Sequence, residues 1–337
     1  INSRAIGDGS TVNKVVCATF DSKGAEMVDL RQVKTLENKK AKYSIRLVKG
    51  QNYRVAFFAY YDANGDDIPE YYDIKDLKNI VIKDKQYSNI EGRDAFTANF
   101  DIETGATMQP INQDITLYRP FAQLNLGSYK DDWDAAVKAG VTISKTKVIV
   151  SNVYKTFSAY NDAVVGETSE MTFDLNDIRQ EDLLADIDNN GKDEEYKYLS
   201  MNYLLVGDKK SEMNLTDVKF VWETADGKTN NPVTEFSNIP VQRNWRTNII
   251  GWLLTNPAEF NITIDHRFDN DYNIIAINGT VNTEDIAKSG YTDYIDEGTT
   301  EVDVIENVHI KADGTAIVVD DVKAASGTLL INNSIID

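Results

Sequence analysis

The sequence predicts an all-β protein built as two consecutive β-sandwiches with a few short helices. Three observations carry that expectation. Apolar and polar residues alternate at period two along several segments. Turn signals bound those segments at close spacing. Helical patterning is scarce and lacks the strand–helix–strand alternation of a parallel doubly wound sheet.

In residues 259–265, Phe260, Ile262 and Ile264 alternate with Asn261, Thr263 and Asp265. Val218, Phe220 and Trp222 alternate with Asp217 and Lys219, and Tyr43, Ile45 and Leu47 with Ser44 and Arg46. Each segment reads as a strand with one face on a core. Residues 53–61 form a longer strand closed by Asp62-Ala63-Asn64-Gly65-Asp66, in which Asn-Gly is a hairpin signal. Lys49-Gly50 closes the strand before it, and Asp188-Asn189-Asn190-Gly191 precedes a long strand over 195–206. Ala225-Asp226-Gly227 follows Trp222. One helix is expected over 131–140, with an acidic start, Lys138 near its end and Gly140 to close it. A second is expected over 73–79.

The 337 residues suffice for two ordinary domains. Their expected limits are 1–115 and 116–274. Residues 275–337 read as a linker and a β-rich tail, with apolar segments over 302–310, 315–319 and 328–331. These segments form too small a core to stand alone. The composition suits pleated, half-buried surfaces: 42% of residues are hydrophobic, with 17 Tyr and 12 Phe.

The net charge of −19 repels phosphate backbones and anionic lipid surfaces, so no nucleic-acid partner is expected. The single cysteine, Cys17, permits no intrachain disulfide and lies in an apolar strand-like run. No apolar run reaches the ~18 residues that span a bilayer. The first residues carry no hydrophobic signal core, and the expectation is a mature or trimmed start.

Catalytic chemistry finds little material. A Ser-His-Asp triad would need His266 or His309, the only two histidines, and both read as exposed or capping side chains. Two histidines and one cysteine leave almost no zinc site of the usual kind. Gly7-Asp8-Gly9 lacks the rest of a dinucleotide fingerprint. With 54 acidic residues, a pair of facing carboxylates for glycoside hydrolysis cannot be singled out. The expectation is a protein that is not an enzyme and needs no cofactor.

Calcium is the one metal reading. Asp186, Asp188 and Asn190 before Gly191 match the opening of an EF-type loop, but Lys197 stands where its bidentate Glu belongs. An acidic turn held by side-chain-to-amide bonds is the other reading. Tyr60, Tyr61, Tyr71 and Tyr72 could form a sugar-binding platform or fill the core.

Two segments are more specific. Leu117-Tyr118-Arg119-Pro120-Phe121-Ala122-Gln123-Leu124-Asn125 resembles the strand that opens the second domain of the fimbrillin-like proteins of Bacteroidetes. Asn238-Ile239-Pro240-Val241-Gln242-Arg243-Asn244-Trp245-Arg246-Thr247-Asn248-Ile249-Ile250-Gly251 resembles their near-terminal strand. With the hairpin at 60–66, the resemblance covers most of residues 12–273. It implies two tandem transthyretin-like Greek-key sandwiches, export as a lipoprotein, and assembly at the cell surface or outer membrane as a type V pilus subunit. It implies other fimbrial subunits, like or unlike, as partners, and a host or bacterial surface receptor. The membrane would be reached only through a lipid anchor on the precursor.

It also implies that a protease cuts after an arginine, that the first strand leaves, and that a neighbour's strand fills the groove. The matching first strand here is Val12, Val15, Val16, Ala18 and Phe20. The matching cut is at Arg31, because a cut at Arg4 would not release that strand. Candidate donor strands are Ala316, Ile317, Val318 and Val319, and Leu329, Leu330 and Ile331. Against this stand a non-polymerising carbohydrate-binding module and, further off, a glycoside hydrolase.

Overall fold

Residues with two apolar neighbours in sequence, such as Val15-Val16 or Phe57-Phe58, cannot put both side chains on one face of a strand. Here both faces are covered. The computed structural model describes residue 7, residues 9–83, 85–104, 114–179, 182–185, 193–208 and 213–255, and strands at 260–265, 275–277, 307–310 and 315–320.

The first half contributes β1 (Lys14–Phe20), β2 (Gln32–Thr35), β3 (Arg46–Leu47), β4 (Asn52–Tyr60), β5 (Tyr72–Asp73), β6 (Ile80–Ile82), β7 (Gln86–Tyr87), β8 (Phe96–Glu103) and β9 (Ile115–Leu117). An antiparallel sheet of order β2-β1-β4-β8 is its centre. One face of that sheet buries Val15, Cys17, Val55 and Phe57 with Tyr43, Ile45, Leu47 and Leu117. The other buries Val16, Ala18, Phe20, Ala56, Phe58 and Tyr60 in a core that continues into the second half. Residues 41–47 alternate buried and exposed as expected, although only Arg46–Leu47 pair in a ladder.

The helix expected over 73–79 is not formed. Asp73 accepts the Lys75 amide at 3.1 Å and Asp76 the Lys78 amide at 2.8 Å. These short bonds supply the backbone with an alternative to a helix too brief to nucleate well.

The second half adds β10 (Ala122–Tyr129), α1 (Lys130–Lys138), β11 (Ile143–Val153), β12 (Thr156–Ser158), β13 (Ala163–Val165), β14 (Ser169–Asp177), β15 (Asp182–Ala185) and β16 (Glu194–Leu204). It continues with β17 (Met213–Leu215), β18 (Val218–Thr224), β19 (Thr234–Phe236), β20 (Ile239–Val241), β21 (Arg246–Gly251) and β22 (Phe260–Asp265). Sheets of order β15-β16-β10-β21-β22 and β19-β18-β11-β14-β7 share one core. Leu124, Leu126, Leu199 and Met201 come from one sheet, and Val148, Val150, Phe173 and Phe220 from the other. The fold is all-β, and among the described residues the ladders are antiparallel except for β10–β21 and β7–β14.

The halves are interleaved. β6 pairs with β12 and β7 with β14, so residues before the expected boundary complete sheets after it. The helix stands where expected. Asp132, fully buried, accepts from Ser128 Oγ at 2.8 Å and from the Leu254 and Thr255 amides at 2.9 Å, and Gly140 follows at φ +83°. In the tail, β23 (Ile275–Ile277) pairs with β9. β24 (Asn307–Ile310) pairs with β25 (Thr315–Asp320), and β25 also pairs with β3.

Candidate assembly site

The first strand is an inner strand. All seven β1 residues pair antiparallel with β4, from Lys14 opposite Tyr60 to Phe20 opposite Arg54, and β2 takes the other side. Val15, Val16, Cys17, Ala18 and Phe20 are buried, and Val12 packs just ahead of them. Tyr43 Oη donates to the Val15 carbonyl at 2.6 Å. Phe20 meets Tyr160 of the second half edge-on, with ring centres 4.7 Å apart. Every sequence-predicted residue of this strand therefore contributes to a core, and both neighbouring strands would lose ladder partners without it.

Its start is clamped to the Asn-Gly turn. Asn13 exchanges two hydrogen bonds of 2.9 Å with the Asp62 main chain, and Lys14 Nζ lies 2.6 Å from Asp67 Oδ1. Asp62 accepts amides of Asn64, Gly65 and Asp67 at 2.8–3.0 Å. Burial pushes the Asp62 carboxyl up, but those amides outweigh it and hold it below its ordinary value.

Arg31 follows a single 3₁₀ turn, Val28–Leu30, in which Val28 is 72% exposed. The guanidinium is half-buried. It bonds Glu26 Oε1 at 2.8 Å and donates to the Ile74 carbonyl. With Val33, Ile68, Pro69 and Tyr72 it lines a cavity of about 600 Å³ beside the edge strands β2 and β5.

The two motif segments are brought together. β10 and β21 run parallel with Gln123 opposite Arg246 and Asn125 opposite Asn248. Arg119, fully buried, holds Asp94 through contacts of 2.7–2.9 Å, and its guanidinium lies over the Phe96 ring. Arg243 Nε donates to the Arg119 carbonyl at 2.9 Å, and its Nη2 pairs with Asp162 at 2.5 Å. A third buried arginine, Arg93, lies over Phe173, and burial pushes it down to about 10. The buried role of these arginines is absent from the sequence reading. Arg243 stands between Gln242 and Asn244 and Arg93 between Gly92 and Asp94, so neither carries a sequence signal of burial.

The remaining sequence-predicted residues do not gather around β1. Ala316, Ile317, Val318 and Val319 lie in β25, paired with β24 and β3 of the same chain. Leu329, Leu330 and Ile331, the calcium residues Asp186, Asp188 and Asn190, Arg4 and His266 lie outside the described residues. Among the described residues no three His, Cys, Asp or Glu side chains are grouped as metal ligands. Tyr60 and Tyr72 are buried in the core while Tyr61 and Tyr71 are partly exposed, so the four do not share one platform. No described helix is long and apolar enough to cross a membrane.

A family model matches residues 3–305. The chain belongs to a family of unknown function, DUF6562. No curated protein matches it. Among solved structures it is similar to a candidate adhesin from Bacteroides thetaiotaomicron, at 11% identity and TM-score 0.41, covering 80% of this chain and 92% of that one. A candidate polysaccharide-binding protein from the same organism matches at 12% and 0.35, over 78% and 93%. The fimbrial anchor protein Mfa2 from Porphyromonas gingivalis matches at 11% and 0.34, over 79% and 91%. These solved neighbours come from Bacteroidetes, the group whose fimbrillins the two motifs resemble.

Proposed function

We propose that the chain is a structural subunit of a cell-surface fimbria, a type V pilus, which assembles by strand exchange and supports adhesion. One observation carries the reading. β1 is an inner strand buried on both faces, and a half-buried arginine, Arg31, follows it just ahead of β2. A cut after Arg31 would detach β1 from the rest of the chain. Its removal would open a lane between β2 and β4, apolar above and below, with the β4 main-chain groups that face β1 left unpaired while β8 keeps the other edge. An added strand satisfies both needs at once. The sequence resemblance to fimbrillins, and to the two tandem transthyretin-like sandwiches that it implies, points the same way.

On this reading the partner is another fimbrial subunit. The donor is a neighbour's tail, residues 316–319 or 329–331, and the precursor is exported as a lipoprotein to the outer surface. A head-to-tail contact of this kind does not close and gives a fibre. The protein works through strand and surface contacts rather than catalysis. The test is to cut the purified chain with an arginine-specific protease and follow its size by light scattering, beside a variant truncated after residue 300. Growth of the cut full-length chain and not of the truncated one supports the reading. A cut chain that stays monomeric, or a truncated one that grows equally well, overturns it.

A further inference from the structure

Ahead of β1, among the described residues, the buried Gly7 touches the second half. Its carbonyl accepts from Arg119 Nη2 at 3.0 Å. Its φ is +72°, and a Cβ there would lie 2.1 Å from Gln123 Nε2 and 2.7 Å from Tyr203 Oη. Arg119, Gln123 and Tyr203 are all fully buried. Gln123 Oε1 is taken by Arg246 Nε at 2.7 Å, which turns its Nε2 toward the glycine. Gln123 Nε2 and Tyr203 Oη have no hydrogen-bond partner among the described residues. Buried polar groups are normally paired, so two that converge on one stretch of main chain mark a built site.

We propose that Arg119, Gln123 and Tyr203 form a slot for a glycine in the left-handed conformation of a main-chain turn, whose resident is Gly7 of the protein's own N-terminal arm. Arg119 reads a carbonyl, as a buried, charge-assisted donor does well. The lack of room for a Cβ selects glycine by exclusion. The arm then has two seats, β1 between β2 and β4, and Gly7 in the second half. A cut after Arg31 leaves it bound, and a displacing segment must compete for both. That consequence rests on the fimbrial reading, whereas the slot does not.

The test compares Gly7→Ala with Gly50→Ala and Gly65→Ala in the full chain. The three glycines have φ of +72°, +69° and +76°, but nothing lies within 4 Å of a Cβ at the two controls. Backbone strain is thus matched, and the difference in melting temperature reads the slot. We expect Gly7→Ala to melt several degrees below both controls. We also expect its arm, once cut at Arg31, to dissociate at least tenfold faster than the wild-type arm. If Gly7→Ala fails to fold, Gln123→Ala combined with Tyr203→Phe should restore folding to it, since those changes remove the atoms 2.1 Å and 2.7 Å from the new Cβ. Melting equal to the controls, equal arm release, or no rescue overturns the slot. If the slot passes and the cut chain does not assemble, the fimbrial reading alone fails.

Discussion

Replacing Arg119 by Met should destabilise the protein strongly, and for a reason separable from lost attraction. Arg119 and Asp94 have side chains with no exposure, joined by N···O contacts of 2.7, 2.8 and 2.9 Å. Met conserves much of the apolar stem but leaves the Asp94 carboxylate without its cation in a site that water does not reach. Breaking one partner of such a buried pair costs about 3–5 kcal/mol, because the remaining charge is uncompensated. The contact to the Gly7 carbonyl adds about 1 kcal/mol. Asp94→Leu alone should cost a similar amount, since it strands the guanidinium. The double variant Arg119→Met with Asp94→Leu should cost clearly less than the sum, because neither charge of the pair is left without the other. Urea unfolding followed by tryptophan fluorescence gives the three values. An Arg119→Met variant within 1 kcal/mol of wild type, or a double variant as costly as the sum of the singles, would refute the argument.

Other outcomes follow from the same geometry. Cys17 is wholly buried in the middle of β1, and burial pushes its thiol up. It should resist a thiol reagent in the intact chain and react at once in the released arm, as a colorimetric thiol assay would record. The folded-state carboxyl of Asp62 lies below its ordinary value. Its stabilising contribution is therefore present above about pH 3.9 and fades as the pH falls below that. Asp62→Asn should melt lower than wild type at pH 7, and the gap should narrow on acidification. A gap that widens would reverse the sign of the argument.

Much of the strand plan was legible because burial and turn chemistry are local. Phe260, Ile262 and Ile264 sit in a strand, the run at 195–206 is β16 to within two residues, and the helix ends before Gly140 as its charges suggested. The adjacent Val15 and Val16 broke the alternation for a reason no single strand can reveal: a second core lies behind the sheet. The interleaving of the halves was also hidden, since β6 and β7 are three and two residues long and find partners more than 70 residues away. At 73–79 the helical reading gave way to Asp73 and Asp76, whose carboxylates capture nearby amides. The motifs at 117–125 and 238–251 were visible as text, but their meaning is three-dimensional: they form a parallel strand pair, and just ahead of its two strands the buried Arg243 donates to the carbonyl of the buried Arg119.

The central claim is that β1 is a placeholder that another chain's strand replaces. The most direct measurement is the stoichiometry of release. The chain is cut after Arg31 and brought to an assembling concentration, the assemblies are sedimented, and free arm in the supernatant is quantified by mass spectrometry and by its Cys17 thiol. Strand exchange predicts one arm released for each subunit incorporated, and none from material that stays monomeric. Assemblies that form with every arm still bound would contradict the account.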